Sequence, residues 1–125
     1  MARRRVLVVE DEATIREMLA LILDAEGYEV DLAAGGEEAL AAIERARPDI
    51  ILLDMKMPGV DGHAFAKRYH ASDGPKAPII VITAARSAVE AAAEVQACAS
   101  LGKPFGVDQL LDAVTECLGK AARPA

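Results

Sequence analysis

Apolar and polar positions alternate along the chain between two kinds of segment. Five short runs of apolar and β-branched residues have the composition of strands in a covered sheet. They cover residues 5–10, 28–32, 49–53, 79–83 and 98–101. The segments that follow carry helix signals, which are three- and four-residue apolar spacing, capping residues or an alanine-rich composition. The predicted helices cover residues 15–23, 37–46, 62–71, 87–95 and 107–118.

Local sequence signals predict the caps, a turn and the inward faces of several of these elements. Thr14 and Glu17 have capping-box spacing at the first helix, although Asp11 could cap it instead. A turn at Pro58–Gly59 precedes the third helix, which Asp61 is expected to cap. The apolar spacing predicts the inward faces of the first and last helices to consist of Ile15, Met18, Leu19, Ile22 and Leu23, and of Val107, Leu110, Leu111, Val114 and Leu118.

Five successive β/α units predict an α/β fold with a parallel sheet and helices on both faces. The usual strand order for five strands is 2-1-3-4-5. Residues 49–53 form the most hydrophobic run and predict the centre of the sheet, whereas the more polar run at 28–32 predicts an edge. We expect one domain over residues 1–120, fraying after Gly119, and a short disordered tail over 121–125.

Composition and charge exclude several classes of protein. The chain is 53% apolar and 27% charged, and its net charge of −6 is opposite to that of a protein that binds nucleic acid by neutralising phosphates. No apolar run is long enough to span a membrane, and no leader segment is evident. We therefore expect a cytoplasmic protein.

Cys98 and Cys117 are too few for a disulfide framework, and we expect two reduced thiols.

Polar residues lie at the carboxyl ends of four of the five predicted strands. Glu10 and Asp11 are at the end of the first strand, Asp54 follows the third, Thr83 ends the fourth and Lys103 follows the fifth. Each has an ordinary explanation alone, since acids often cap helices and a lone lysine is usually solvated. Open parallel sheets bind ligands at the carboxyl ends of their strands, so together these residues predict one site.

The residue types at this site restrict its chemistry. Two ionised carboxylates about 4 Å apart repel by roughly 4 kcal/mol at an effective dielectric near 20, so three need a cation. Hard oxygen ligands without histidine or thiol favour Mg²⁺. Asp54 could then attack a phosphoryl group and form an aspartyl phosphate, while Thr83 and Lys103 hold the other oxygens. Gly35–Gly36 lacks the Lys-Ser/Thr of a phosphate-binding loop, which argues against a bound nucleotide.

Four motifs, VLVVEDE, ILLDMKMPGVDG, VITA and KPF, carry a family resemblance over essentially the whole chain. The chain resembles the receiver domain of bacterial two-component response regulators, in its stand-alone, chemotaxis-regulator-like form with a flavodoxin-like fold. The resemblance implies that Asp54 is the phosphoacceptor and that Thr83 and Lys103 bind the phosphoryl group. It also implies a Mg²⁺ site formed by Glu10, Asp11, Asp54 and the backbone carbonyl of Lys56, and a cis Lys103–Pro104 bond.

The resemblance further implies partners and an activity. The phosphodonor would be a phosphohistidine on a sensor histidine kinase or phosphotransfer protein, the downstream protein target is unidentified, and a homodimer is left open. The protein would not be an enzyme beyond its own phosphorylation and dephosphorylation. One alternative is a Mg²⁺-dependent aspartyl-phosphate phosphatase, but such enzymes often carry a second acid where this chain has Lys56. A non-catalytic interaction module is the other alternative, and the intact site argues against it.

The sequence departs from the family pattern near the last strand. The family places an aromatic switch residue three positions before the lysine, where this chain has Ser100. The Gly-Ala pair that commonly opens that strand is Gln96–Ala97 here, and the segment between Thr83 and Lys103 is short and alanine-rich. We therefore expect phosphorylation chemistry to be retained and the coupling to output to be atypical, through order and disorder of residues 87–95 or through another face.

Overall fold

The computed structural model describes residues 3–57, 60–84, 93 and 96–122, and for residues 56, 57, 60, 61, 84, 121 and 122 it describes the backbone alone. The predicted turn at Pro58–Gly59 and the predicted helix over 87–95, apart from Ala93, lie outside the described residues. Of the predicted tail, residues 123–125 lie outside them as well.

Strands and helices alternate along the described chain. The strands are β1 (Arg5–Val9), β2 (Glu29–Ala33), β3 (Ile50–Asp54), β4 (Lys56–Met57), β5 (Val60–Asp61), β6 (Ile79–Ala84) and β7 (Ala99–Lys103). The helices are α1 (Ala13–Ala25), α2 (Gly36–Arg45), α3 (Gly62–Ala71) and α4 (Val107–Ala122).

The five longer strands form one parallel sheet in the order β2-β1-β3-β6-β7. This confirms the predicted order 2-1-3-4-5, with the most hydrophobic run at the centre and the more polar β2 at an edge. The antiparallel pair of β4 and β5 was not predicted, and it lies directly after the central strand. Strand ends differ from the apolar runs by one or two residues because the hydrogen-bond ladder defines them.

Helices cover both faces of this sheet because alternate strand residues point to opposite faces. Leu7 and Ile51 belong to one buried cluster, which residues of α2 and α3 complete. Val8 and Leu52, their chain neighbours, belong to a second cluster that α1 and α4 complete. Each strand of the centre is therefore covered on both sides, as its unbroken apolar sequence predicts.

Several predicted details of the helices are wrong. The N-cap residue of α1 is Glu12, with no side-chain hydrogen bond to the helix, so neither capping arrangement forms. Met18 and Val107 are exposed rather than inward-facing. Met18 lines a surface cavity beside the segment after β7, so that part of α1 faces a loop and not the sheet. The helix α4 continues through Ala122, beyond the fraying expected after Gly119.

The two cysteines are joined as a disulfide, which contradicts the expectation of two reduced thiols. Cys98 precedes β7 and Cys117 lies in α4, and their Cα atoms are 6.1 Å apart. Chain spacing alone could not show this contact, because it arises from the packing of the last helix on the last strand.

Candidate functional site

The carboxyl ends of the parallel strands bring together the polar residues that the sequence placed there. Glu10 and Asp11 directly follow β1, and Asp54 is the last residue of the neighbouring strand β3. Thr83 lies near the end of β6, and Lys103 is the last residue of β7. The backbone N–H of Glu10 donates to the carbonyl of Ala33 at 3.0 Å and fixes the point where β1 ends.

Three carboxylates converge at this edge. One oxygen from each of Glu10, Asp11 and Asp54 lies within 4.8 Å of the other two. The side chains of Glu10 and Asp54 are almost completely buried, and Asp11 is half-buried. Because burial weakens screening by water, the three negative charges cannot coexist there without protons or a compensating cation.

Lys103 supplies one positive charge to the cluster. Its ammonium Nζ lies 3.6 Å from Oδ1 of Asp54 and 3.7 Å from Oε1 of Glu10. The lysine is only partly buried, so its charged end remains open to a ligand that approaches from solvent. A single ammonium leaves the cluster with excess negative charge when all three carboxylates are ionised.

The pKa of Glu10 reflects its burial and the neighbouring negative charge. Burial, followed by the adjacent Asp54 carboxyl, raises the pKa of Glu10 from 4.5 to about 7. The backbone N–H of Glu12, 3.2 Å from Oε2, and the Lys103 ammonium act in the opposite direction. Oε1 of Glu10 is buried and has no hydrogen-bond partner within the described residues. A buried oxygen without a donor among three hard oxygen ligands fits a divalent cation such as Mg²⁺.

Arg16 is a site residue that the sequence argument missed. From the first turns of α1, its Nη1 donates to the backbone carbonyls of Glu10 at 2.9 Å and Asp11 at 3.3 Å. These bonds hold the loop that carries two of the three carboxylates. No sequence signal indicates them, because the guanidinium contacts main-chain oxygens that every residue possesses.

Thr83 and Lys56 were also predicted at the site. Thr83 is buried in β6, one residue beyond Ile82, which is the register partner of Asp54. The backbone of Lys56 lies in β4, two residues beyond Asp54, and its side chain is outside the described part of the structure. Thr83 and the Lys56 backbone thus lie on strands that adjoin or follow β3, and their roles at the site stay predictions.

The last strand, β7, contains no aromatic residue. Ser100 is half-buried and pairs in register with Val81 of β6. The aromatic residues are elsewhere: Phe65 and Tyr69 stack in the core on α3, and Phe105 follows the strand. The Lys103–Pro104 bond is cis, which confirms that expectation.

Comparison with known proteins supports one family. The family model of the response regulator receiver domain matches residues 6–115. The chain is 36% identical over 120 residues to sporulation initiation phosphotransferase F of Bacillus subtilis, covering 94% of this chain and 96% of that protein. It is 44% identical over 114 residues to the transcriptional regulatory protein PdtaR of Mycobacterium tuberculosis, covering 89% of this chain and 55% of that protein.

A solved structure gives the same result. The chemotaxis response regulator CheY4 of Vibrio cholerae superposes with a TM-score of 0.84 at 36% identity, over 93% of this chain and 99% of that one. The chain belongs to the response regulator receiver domain family. It spans about half the length of most of the curated relatives that it matches. Among the described residues, none of the helices is both long enough and apolar enough to cross a membrane.

Proposed function

We propose that this chain is a phospho-accepting switch of a two-component system, in which Asp54 takes a phosphoryl group from a phosphohistidine. The donor is a sensor histidine kinase or a phosphotransfer protein, and the setting is the cytoplasm. The observation that carries the proposal is the contact of 3.6 Å between the Lys103 ammonium and the Asp54 carboxylate, inside a cluster of three carboxylates. Family membership supports it, because receiver domains of two-component systems are signalling switches.

The reaction uses Asp54 as the nucleophile. An oxygen of its carboxylate attacks phosphorus, the P–N bond to the donor imidazole breaks, and the bonding pair leaves with the imidazole. The product is an aspartyl phosphate, whose phosphoryl oxygens carry the negative charge. Lys103 neutralises part of that charge, and the Thr83 hydroxyl donates a hydrogen bond to another phosphoryl oxygen.

The other acidic residues have a supporting role. The carboxylates of Glu10, Asp11 and Asp54, with the backbone carbonyl of Lys56, are the proposed ligands of Mg²⁺. When bound, Mg²⁺ offsets the negative charge on the transferring phosphoryl group. Arg16 keeps the Glu10–Asp11 backbone in place through its two hydrogen bonds to main-chain carbonyls.

Incubation with a small acyl phosphate and Mg²⁺, followed by intact-mass measurement, tests this proposal. We expect the mass to rise by a single phosphoryl group and the Asp54→Asn variant to show no adduct, because an amide is a poor nucleophile. Withholding Mg²⁺ with a chelator provides the matched control and should also prevent the adduct. An adduct of equal yield in Asp54→Asn would overturn the proposed site.

The same experiment separates the two alternatives. A phosphatase would turn over rapidly and accumulate little adduct, whereas a switch would accumulate a stable single adduct and release inorganic phosphate only slowly. A vestigial interaction module would give no adduct with any donor. The absence of a second acid at Lys56 favours the switch.

The surface beside Lys103 fits the approach of a macromolecular donor. A cavity of about 390 Å³ is lined by Ile15, Met18, Lys103, Pro104 and Phe105. Its apolar wall includes the exposed Met18, and its polar end is the ammonium that contacts Asp54. A donor that delivers a phosphohistidine to Asp54 must cover this surface, so we assign it to the docking of the kinase or phosphotransfer protein.

A further inference from the structure

The disulfide between Cys98 and Cys117 lies outside the phosphorylation chemistry proposed above. Cys98 is in the turn that precedes β7, and its backbone N–H donates to the carbonyl of Ile79 at 2.7 Å. Cys117 is in α4, nineteen residues later in the chain. The Cα separation of 6.1 Å is within the range that a disulfide bridges without movement of the backbone.

The two thiols differ strongly in exposure. Cys117 is 2% exposed and belongs to the buried cluster that also contains Leu110 and Val114. Cys98 is half-buried and packs at the margin of the same cluster. A small reagent in solution therefore meets Cys98 first, and Cys117 is reached only from within the protein.

The strand next to Cys98, β7, has few buried side chains. Leu101 is the one fully buried side chain of β7, and the flanking residues Ala99, Ser100 and Gly102 are small. Within the described part of the chain, the strand is at the edge of the sheet and pairs only with β6. The disulfide adds a covalent connection between the turn that precedes β7 and the helix α4.

We propose that Cys98 and Cys117 are a reversible redox-modification site, at which a small disulfide oxidises the pair and thereby fastens β7 to α4. The Cys98 thiolate attacks one sulfur of the small disulfide, forms a mixed disulfide and releases one small thiolate. The Cys117 thiolate then attacks Sγ of Cys98 and releases the second. Two protein thiols are oxidised, one small disulfide is reduced to two thiols, and an excess of small thiol reverses both steps.

This inference goes beyond the proposed function and does not depend on it. Phosphorylation requires Asp54, whereas the redox state is measured on two cysteines, so either result can fail alone. The two sites share an element, because β7 runs from the turn that holds Cys98 to Lys103. Disulfide formation would be a second covalent modification of the protein besides phosphorylation, and it would act on the strand that carries Lys103.

The first test uses the folded chain, oxidised glutathione and intact-mass measurement after alkylation in denaturant. The oxidised wild type should take up no alkyl group, and the protein reduced with excess glutathione should take up two. The Cys117→Ala variant should retain one glutathione on Cys98, because the resolving thiol is absent. The Cys98→Ser variant should remain free of glutathione, because Cys117 is buried. Two alkyl groups on wild type after oxidation, or equal adducts on both variants, would overturn the proposal.

The second test compares amide exchange in the oxidised and reduced wild type, and needs no variant. Residues 98–103 should exchange several-fold faster after reduction, and β1 should change little. The Cys98→Ser/Cys117→Ala double variant is the matched control, whose exchange should not respond to reductant. Equal exchange of residues 98–103 in both redox states would overturn the proposed fastening of the strand.

Discussion

Glu10 occupies a position at which a carboxylate is costly to ionise. Its side chain is buried, its Oε1 lacks a donor among the described residues, and Asp54 brings a second negative charge beside it. Burial and the Asp54 carboxyl raise the pKa of Glu10 to about 7. In the metal-free site, Glu10 therefore retains its proton to a higher pH than an ordinary glutamate, and a cation that uses this carboxylate competes with that proton.

The free energy of unfolding of the metal-free protein should fall as pH rises from 4.5 to about 7. Between these two pKa values the folded chain retains more of the Glu10 proton than the unfolded chain does, so raising the pH favours the unfolded state. A shift of the pKa from 4.5 to about 7 corresponds to a loss on the order of 3 kcal/mol. Denaturant unfolding with a chelator present measures this slope.

The Glu10→Gln variant should have a flatter dependence on pH, because glutamine has no proton to lose. Glu17→Gln, at an exposed position on α1, is the matched control and should keep the wild-type slope. A slope that is unchanged in Glu10→Gln would show that another group is responsible.

Gln96 has a backbone conformation that is unfavourable for its side chain. Its φ is +56°, in the left-handed region where glycine is the usual residue. The Gln96→Gly variant should be more stable by about 0.5–1 kcal/mol, measured by denaturant unfolding, because glycine adopts this φ without steric strain. Gln96→Ala retains a Cβ and should stay close to wild type. A Gln96→Gly variant that is no more stable than Gln96→Ala would contradict this explanation.

At the scale of elements, α1 presents two exposed apolar residues to different surroundings. Met18 is 46% exposed beside Lys103 and Pro104, whereas Leu21 is 74% exposed on the side of α1 that faces β2. The two residues thus provide a matched pair for testing the proposed donor surface.

Met18→Ala should slow phosphoryl transfer from a histidine kinase several-fold, because it removes apolar contact area at the docking surface. The same variant should react normally with a small acyl phosphate, which does not use that surface. Leu21→Ala should leave both rates unchanged. The measurement uses the kinase that transfers fastest in a panel of phosphorylated kinases, and equal slowing with both donors would contradict the assignment.

The sequence predicted the elements well where an apolar run reflects burial on both faces. The run DIILL indicated the central strand because a parallel strand covered by helices needs no polar residue. The sequence predicted burial and pairing less well where they depend on neighbouring elements. Met18 has the spacing of an inward residue but faces a loop, and the pairing of β4 with β5 arises in a segment without a regular apolar pattern.

At the scale of the molecule, the unusual position is Ser100 in place of an aromatic switch residue. We expect a phosphoryl mimic with Mg²⁺ to change amide exchange across residues 84–102 only slightly, because no ring on β7 can move when Thr83 binds the phosphoryl group. Exchange measured with and without the mimic checks this, with β1 as the internal reference. A large change across 84–102 would contradict atypical coupling.

The polar residues of the site were predictable because the ends of successive parallel strands meet at one edge of the sheet. Glu10, Asp54 and Lys103 could be named from the sequence on that rule alone. Arg16 and the disulfide could not, since one contacts main-chain atoms and the other depends on how α4 packs against β7. Topology thus predicts which side chains meet at strand ends, and packing decides the remaining contacts.

The ion pair between Lys103 and the two carboxylates links residues from near both ends of the chain. Glu10 follows the first strand and Lys103 ends the last, while Asp54 lies on the central strand between them. The pair forms only when β7 has joined β6, which completes the sheet. A chain in which β7 has not yet paired with β6 lacks the Lys103 ammonium beside Asp54, so the complete charge arrangement of the site forms only with the complete sheet.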